Sequence, residues 1–108
     1  MIEKLIIDTL KDLNIPIYLD ECDGSDDEYI VFSIYNAEDS DFVDDVNLSE
    51  TYYMTVNYWC GSLKNLNKYK EIKNKLKSNG FTFDTWNNIS KNGKKGKSLD
   101  FIFENYDI

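Results

Sequence analysis

The segment LSETYYMTVNYWC (48–60) constrains this chain more than any other. It is the longest β signal in the sequence. Its side chains alternate, so Tyr52, Met54, Val56 and Tyr58 share one face while Tyr53, Thr55, Asn57 and Trp59 share the other. A strand with large side chains on both faces needs neighbours, and the preceding sequence supplies one. YIVFSIYN (29–36) is rich in β-branched and aromatic residues and has apolar residues on both faces. It reads as a central strand covered on at least one side. The acidic stretch AEDSDFVDDVN (37–47) separates the two, which predicts an antiparallel hairpin joined by an acidic loop.

Around this hairpin the period changes twice. Ile2, Leu5, Ile6, Leu10 and Leu13 fall at helical spacing, and charged residues fill the other face. This predicts an amphipathic helix over 2–13, ended by Asn14 and Pro16 because proline disfavours helical geometry in the residue before it. Residues 16–19 read as a short extended piece. The run DECDGSDDE (20–28) is nearly all acid around turn residues, and it predicts an exposed loop. After Gly61, the residues Leu63, Leu66, Tyr69, Ile72 and Leu76 mark a second helix, with Ser62 as N-cap and Gly80 as a left-handed C-cap. FTFDTWN (81–87) and SLDFIFENY (98–106) read as two more strands around a basic connection, SKNGKKGK (90–97).

The order α-β-β-β-α-β-β predicts an α+β fold: a mainly antiparallel sheet of four to five strands flanked by two amphipathic helices. The 108 residues suit one domain, 1–108, long enough for a core without staples. No apolar run approaches the roughly 18 residues of a membrane span. The opening MIEKLIIDTLKDL carries acids among its apolar residues, unlike a signal peptide. Cys22 and Cys60 match no metal or redox spacing and read as reduced structural thiols.

Chemistry is sparse. Histidine is absent, which removes the commonest general base and transition-metal ligand. Arginine is absent too, and with it any bidentate clamp for phosphate or carboxylate. NGKKGK lacks the spacing of a phosphate loop. The acidic loops lack the EF-hand pattern, since Leu19 stands where the first acid before Gly24 is needed. Carboxylates in polar loops ionise normally, which disfavours acid–base catalysis. The expectation is a protein that is not an enzyme, without cofactor or metal.

Charge is the remaining signpost, and it is sorted along the chain. Residues 1–50 carry fifteen acids against two lysines; residues 51–108 carry ten lysines against five acids. The overall charge of −8 opposes specific nucleic-acid binding. Opposite charge in the two halves favours binding to a basic partner, or head-to-tail attraction between copies.

The helix ending in NIPIY (14–18), the strand EYIVFSIYN (28–36), the Asp44–Asp45 pair, TYYMTVNYW (51–59), the lysine-rich helix ending in NGF (79–81) and SLDFIFENY (98–106) together resemble the tail-completion or tail-terminator proteins of long-tailed phages and prophages. The resemblance spans nearly the whole chain and rests on arrangement and short strings. It implies a compact α/β domain without enzymatic activity that forms a ring, a hexamer in that family, at the end of the tail tube. Its partners would be its own copies, the tail tube protein and the head connector. It would be assembled in the bacterial cytoplasm and reside in the virion tail. The short, basic SKNGKKGK departs from the family, where that segment is usually longer in polar and aromatic residues.

A ring contact is heterologous, one patch meeting a different patch on the neighbour. The expected acidic contacts are Asp39, Asp41, Asp44 and Asp45, the basic ones Lys94, Lys95 and Lys97, and the apolar anchors Phe42 and Val43. The rival reading from another class is a small acidic inhibitor or immunity protein that blocks a basic toxin or nuclease.

Overall fold

The structure, a computed structural model, describes residues 2–21, 27–40, 49–61, 68–91 and 93–105, with backbone only at 38–40, 49 and 105. Helix α1 (Ile2–Leu10) continues as a 3-10 turn (Lys11–Leu13), followed by β1 (Ile17–Leu19), β2 (Glu28–Ser40), β3 (Ser49–Cys60), α2 (Lys68–Ser78), β4 (Thr82–Lys91) and β5 (Lys94–Asn105). The strands form one five-stranded sheet in the order β1-β2-β3-β5-β4. The fold is α+β, with a mixed sheet: β1 runs parallel to β2, and the other three pairings are antiparallel.

Both helices lie on one face of the sheet. Ile6 and Leu10 of α1 and Ile72 and Leu76 of α2 join Ile30, Phe32, Met54, Val56, Tyr58, Leu99 and Phe101 in a single buried cluster. These sheet residues all belong to one alternation set, so the face predicted for Met54, Val56 and Tyr58 is the face that carries the core. The molecule is elongated, with principal extents of 53 × 23 × 21 Å.

Several boundaries differ from the sequence reading, each for a physical reason. The first helix was expected to reach residue 13; its last turn tightens to 3-10 and closes on Asn14, whose φ of 57° is left-handed and whose N–H donates to the Lys11 carbonyl. The acidic segment from Ala37 to Ser40 is strand and not loop, paired in register with Tyr52 to Ser49. Here β3 acts as a rigid template, because β5 holds its other side as far as Glu50, opposite Asn105. The register shift between Ile34 and Asn36 places Tyr35 at a bulge and exchanges the faces beyond it.

The basic connection is not a loop either. Lys94 to Lys97 belong to β5, and Lys91 pairs directly with Lys94 across a tight turn in which Gly93 has φ +81°. Asn92–Gly93 is the usual dipeptide of a two-residue hairpin, and its weight should have exceeded that of the surrounding lysines. α2 ends as expected at Gly80, φ +93°. The Phe81 N–H reaches the Leu76 carbonyl and the Gly80 N–H reaches Lys77, the paired bonds of a Schellman cap. The expected N-cap, Ser62, lies outside the described residues.

Candidate functional site

Register fixes where the charges stand. The rung Glu28–Cys60–Lys95–Ser90 crosses the sheet near one end, and Asp39–Glu50–Asn105 crosses it near the other. The ten residues from Glu50 to Cys60 separate these rungs by about 34 Å. The predicted acid Asp39 and the predicted lysines Lys94, Lys95 and Lys97 therefore occupy opposite ends of the molecule. Asp41, Phe42, Val43, Asp44 and Asp45 lie outside the described residues.

One exposed acid outside the expected set stands level with the lysines: Asp27, the residue before the rung of Glu28 and Lys95. Asp20 and Glu21, also exposed, follow Leu19 and lie farther towards the other end, the Asp20 N–H donating to the Phe32 carbonyl. Lys91 and Lys95 are exposed at the tip of the β4–β5 hairpin, on the opposite side of the sheet. At this end the lysines stand on the β4–β5 side of the sheet and Asp27 on the β2 side, against Gly61 of β3. The acidity of 20–28 was visible in the sequence; its height relative to the lysines was not, because height depends on strand register.

The three predicted lysines are not equivalent. Lys97 reaches back over the helix-covered face, 4.3 Å from the Trp86 ring centre and 5.1 Å from that of Tyr69, and donates to Asn88 Oδ1. Cation–ring contacts are worth about 0.5–2 kcal/mol, the lower part of that range where the ring is as exposed as Trp86, and they engage Lys97 within its own chain. Lys94 lies over the Tyr29 ring at 4.8 Å on the other face, where Tyr29 stacks on Trp59 and meets Tyr18 edge-on. Lys95 remains exposed beside Lys91.

Gly96 makes this alternation possible. A Cβ on it would stand 2.3 Å from the Tyr58 carbonyl oxygen, and Trp59 and Ile89 fill the remaining space at 3.2 Å. The strand can pass closely between two neighbours only where it has no side chain.

Beneath Lys97, Tyr58 is fully buried, and its hydroxyl donates to Glu28 Oε2. Lys68, at the start of α2, pairs with the same carboxylate at 3.6 Å. Burial, and then the hydrogen bond to Glu28, push the phenol well above its ordinary range. The folded protein thus keeps this proton after the unfolded chain begins to lose it near pH 10. Above that pH the unfolded state binds fewer protons, so the stabilisation is complete below about pH 10 and declines as pH rises further. Urea titrations from about pH 8 to about pH 11 should show a steeper alkaline loss for the wild type than for Tyr58→Phe. Equal slopes would refute the assignment.

Trp86 and Tyr69 form the part of this site that residue-type reasoning passed over. Their rings are 6.0 Å apart, and Trp86 is 43% exposed on the terminal strand β4. Strict alternation in TFDTWNNIS puts Trp86 on the face opposite Phe83; the register shift between Phe83 and Thr85 brings both to the helix-covered face, which the sequence does not show. Among the described residues no group of three or more potential metal ligands is gathered. What the arrangement offers is surface: a lysine-bearing hairpin at one end of the sheet, acids towards the other, and exposed Leu19 and Trp86 at its opposite margins. No protein-family model matches the chain, and no curated protein matches it.

Proposed function

We propose that this chain is a tail-completion or tail-terminator protein of a long-tailed phage or prophage. In this reading it is a structural, non-enzymatic subunit that closes the tail tube as a ring, a hexamer in the family it resembles, and joins the tube to the head connector. It acts in the virion after assembly in the host cytoplasm. The observation that carries the reading is the charge polarity along the sheet. Lysines gather at the β4–β5 hairpin and acids lie towards the opposite end, two unlike patches of the kind a heterologous contact pairs. The acidic end formed by β2 and β3, distant from the lysines, also suits a basic axial partner, the tube or the connector. The inhibitor reading accounts for the acids but gives no use to the exposed Trp86 edge.

Deleting the gene from the phage or prophage that encodes it, followed by electron microscopy of induced lysates, tests the proposal. Unjoined heads and tails of irregular length are expected, with normal virions restored when the gene is supplied in trans. Normal virions without the gene would overturn it.

A further inference from the structure

The margin formed by α2 and the β4–β5 hairpin gathers lysines and aromatic rings that are dispersed in the sequence. Tyr69 and Lys73, one helical turn apart, lie along the β4 side of α2. Tyr69 meets Trp86, and the Lys73 ammonium stands 4.3 Å from the Phe83 ring centre. Lys97 reaches the same place from β5, over both Trp86 and Tyr69. Trp86 nevertheless stays 43% exposed. Beside it, two depressions indent the hairpin. One, of about 330 Å³, lies between Asn88 and Lys95; the other, of about 380 Å³, lies between Lys91 and Lys95. Ser90 and Lys95 line both, so the two adjoin. Each has the volume of a small-ligand site, about 300–1,000 Å³. Asn88, which accepts a hydrogen bond from Lys97, links the first depression to the aromatic pair.

The described acids are turned elsewhere. Asp100 accepts from the Thr55 hydroxyl, and Asp84 joins it in acting on Tyr35, which stands with Tyr53 on the opposite face of the sheet. Glu28 is taken up by Tyr58 and Lys68, and Asp27 lies against Gly61. Glu71 is two positions from both Tyr69 and Lys73, off their side of the helix. The rung of Asp39 and Glu50 meets β5 at Asn105, eight residues from Lys97 and therefore roughly 27 Å away. That exceeds two screening lengths of about 10 Å at 0.1 M salt. The overall charge of −8 is thus not the charge a ligand meets at this margin.

From this placement we infer that the α2–β4–β5 margin binds single-stranded nucleic acid without sequence preference. A single strand offers phosphates for the lysines and unpaired bases for the rings, and the two recur along its length. Trp86 and Tyr69 are the stacking faces. Lys97, held between them and Asn88, is placed in advance for the nearest phosphate, and Lys95 and Lys91 continue the track through the depressions. Lysine is a point charge without the planar fork that reads base edges, so these contacts carry no sequence information. A duplex keeps its bases stacked inside and leaves the rings unused. An acidic polypeptide satisfies the lysines and likewise leaves the rings unused. The inference goes beyond the tail-joining role and does not depend on it.

Fluorescence anisotropy with labelled oligothymidylate tests it on the full chain. A Kd of about 10⁻⁵ M is expected at about 0.1 M salt. Three phosphate contacts predict a slope of about −2 for log K against log salt, a loss of roughly twentyfold from about 0.1 M to about 0.4 M. The two kinds of contact then separate. Trp86→Ala should bind about tenfold more weakly with the slope unchanged, because stacking releases no counterions. Lys91→Ala with Lys95→Ala should weaken binding and flatten the slope by about 1.4. Both of these lysines are exposed, so the second variant leaves the core intact even if the first is destabilised. Absence of binding up to about 1 mM protein would overturn the inference. So would a Trp86→Ala protein that binds like the wild type. A duplex bound more tightly than the single strand would remove the stacking role. Polyglutamate competing as well as the oligonucleotide would assign the margin to an acidic polypeptide instead. The gene-deletion phenotype is read separately, so loss of this site and loss of the tail role are told apart.

Discussion

Phe101→Ala is expected to lower folding stability by about 3–5 kcal/mol, the range for removing a fully buried aromatic ring. Phe101 has no exposed surface and lies at the centre of β5, opposite Met54 on β3 and Phe83 on β4. Phe81 and Phe83 meet its ring edge-on at centroid distances of 6.5 and 5.6 Å. Phe81 in turn packs on Phe103 at 4.6 Å, so one truncation loosens the aromatic group that joins the end of α2 to the sheet. The sheet backbone is held on both sides and cannot collapse into the gap, which favours the upper part of the range. A domain of this size has a total stability of about 5–15 kcal/mol, so the loss is a large share of it. Urea denaturation should show a lowered midpoint with an unchanged slope. A loss under about 1 kcal/mol would contradict the core assignment.

Gly96→Ala is expected to be the most damaging single-methyl addition in the described sheet. The added carbon would meet a backbone carbonyl oxygen, that of Tyr58, at 2.3 Å, and a carbonyl in a paired strand cannot turn aside. β3 and β5 must separate locally, at a cost of about 1–3 kcal/mol or more. For a domain near this length, that corresponds to a fall in melting temperature of roughly 4–8 °C for each kcal/mol. The contrast is Gly93→Ala, where nothing lies within 4 Å and only the positive φ opposes the substitution. Its loss should be the smaller of the two in a thermal melt. Because Gly96 adjoins both Lys95 and Lys97, the alanine variant should also disturb the lysine contact with Trp86, visible as altered tryptophan emission. A Gly96→Ala protein as stable as Gly93→Ala would show that the strands approach less closely than described.

The element types were legible in the sequence because each rests on local chemistry. Ile2 to Leu10 at helical spacing, the alternating faces of 49–60 and the left-handed Gly80 need no tertiary information. The boundaries were less legible. Ala37 to Ser40 carry loop composition yet are strand, since the backbone of β3 offers hydrogen bonds that outweigh the preference of acidic residues for solvent. Lys94 to Lys97 carry loop composition too, but a tight turn at Gly93 draws them into β5.

The candidate site divides in the same way. Charge segregation, the absence of histidine and arginine, and the exclusion of the familiar catalytic patterns are properties of the residue list alone, and they directed attention to surfaces. The pairing of particular charges is a property of register. Asp39 and Lys95 belong to the acidic and basic parts of the sequence, yet five strands of common twist set them about 34 Å apart. The sequence by itself determined that the chain makes a helix-flanked sheet with acids and lysines segregated. Only the tertiary structure decided that Leu19 and Trp86 end one rung, Leu19–Phe32–Val56–Leu99–Trp86, and that Asp20 and Lys95 lie on opposite sides of it. Sequence neighbours fix a periodicity, whereas the height and margin of a residue in a sheet follow from hydrogen bonds to strands distant in the chain.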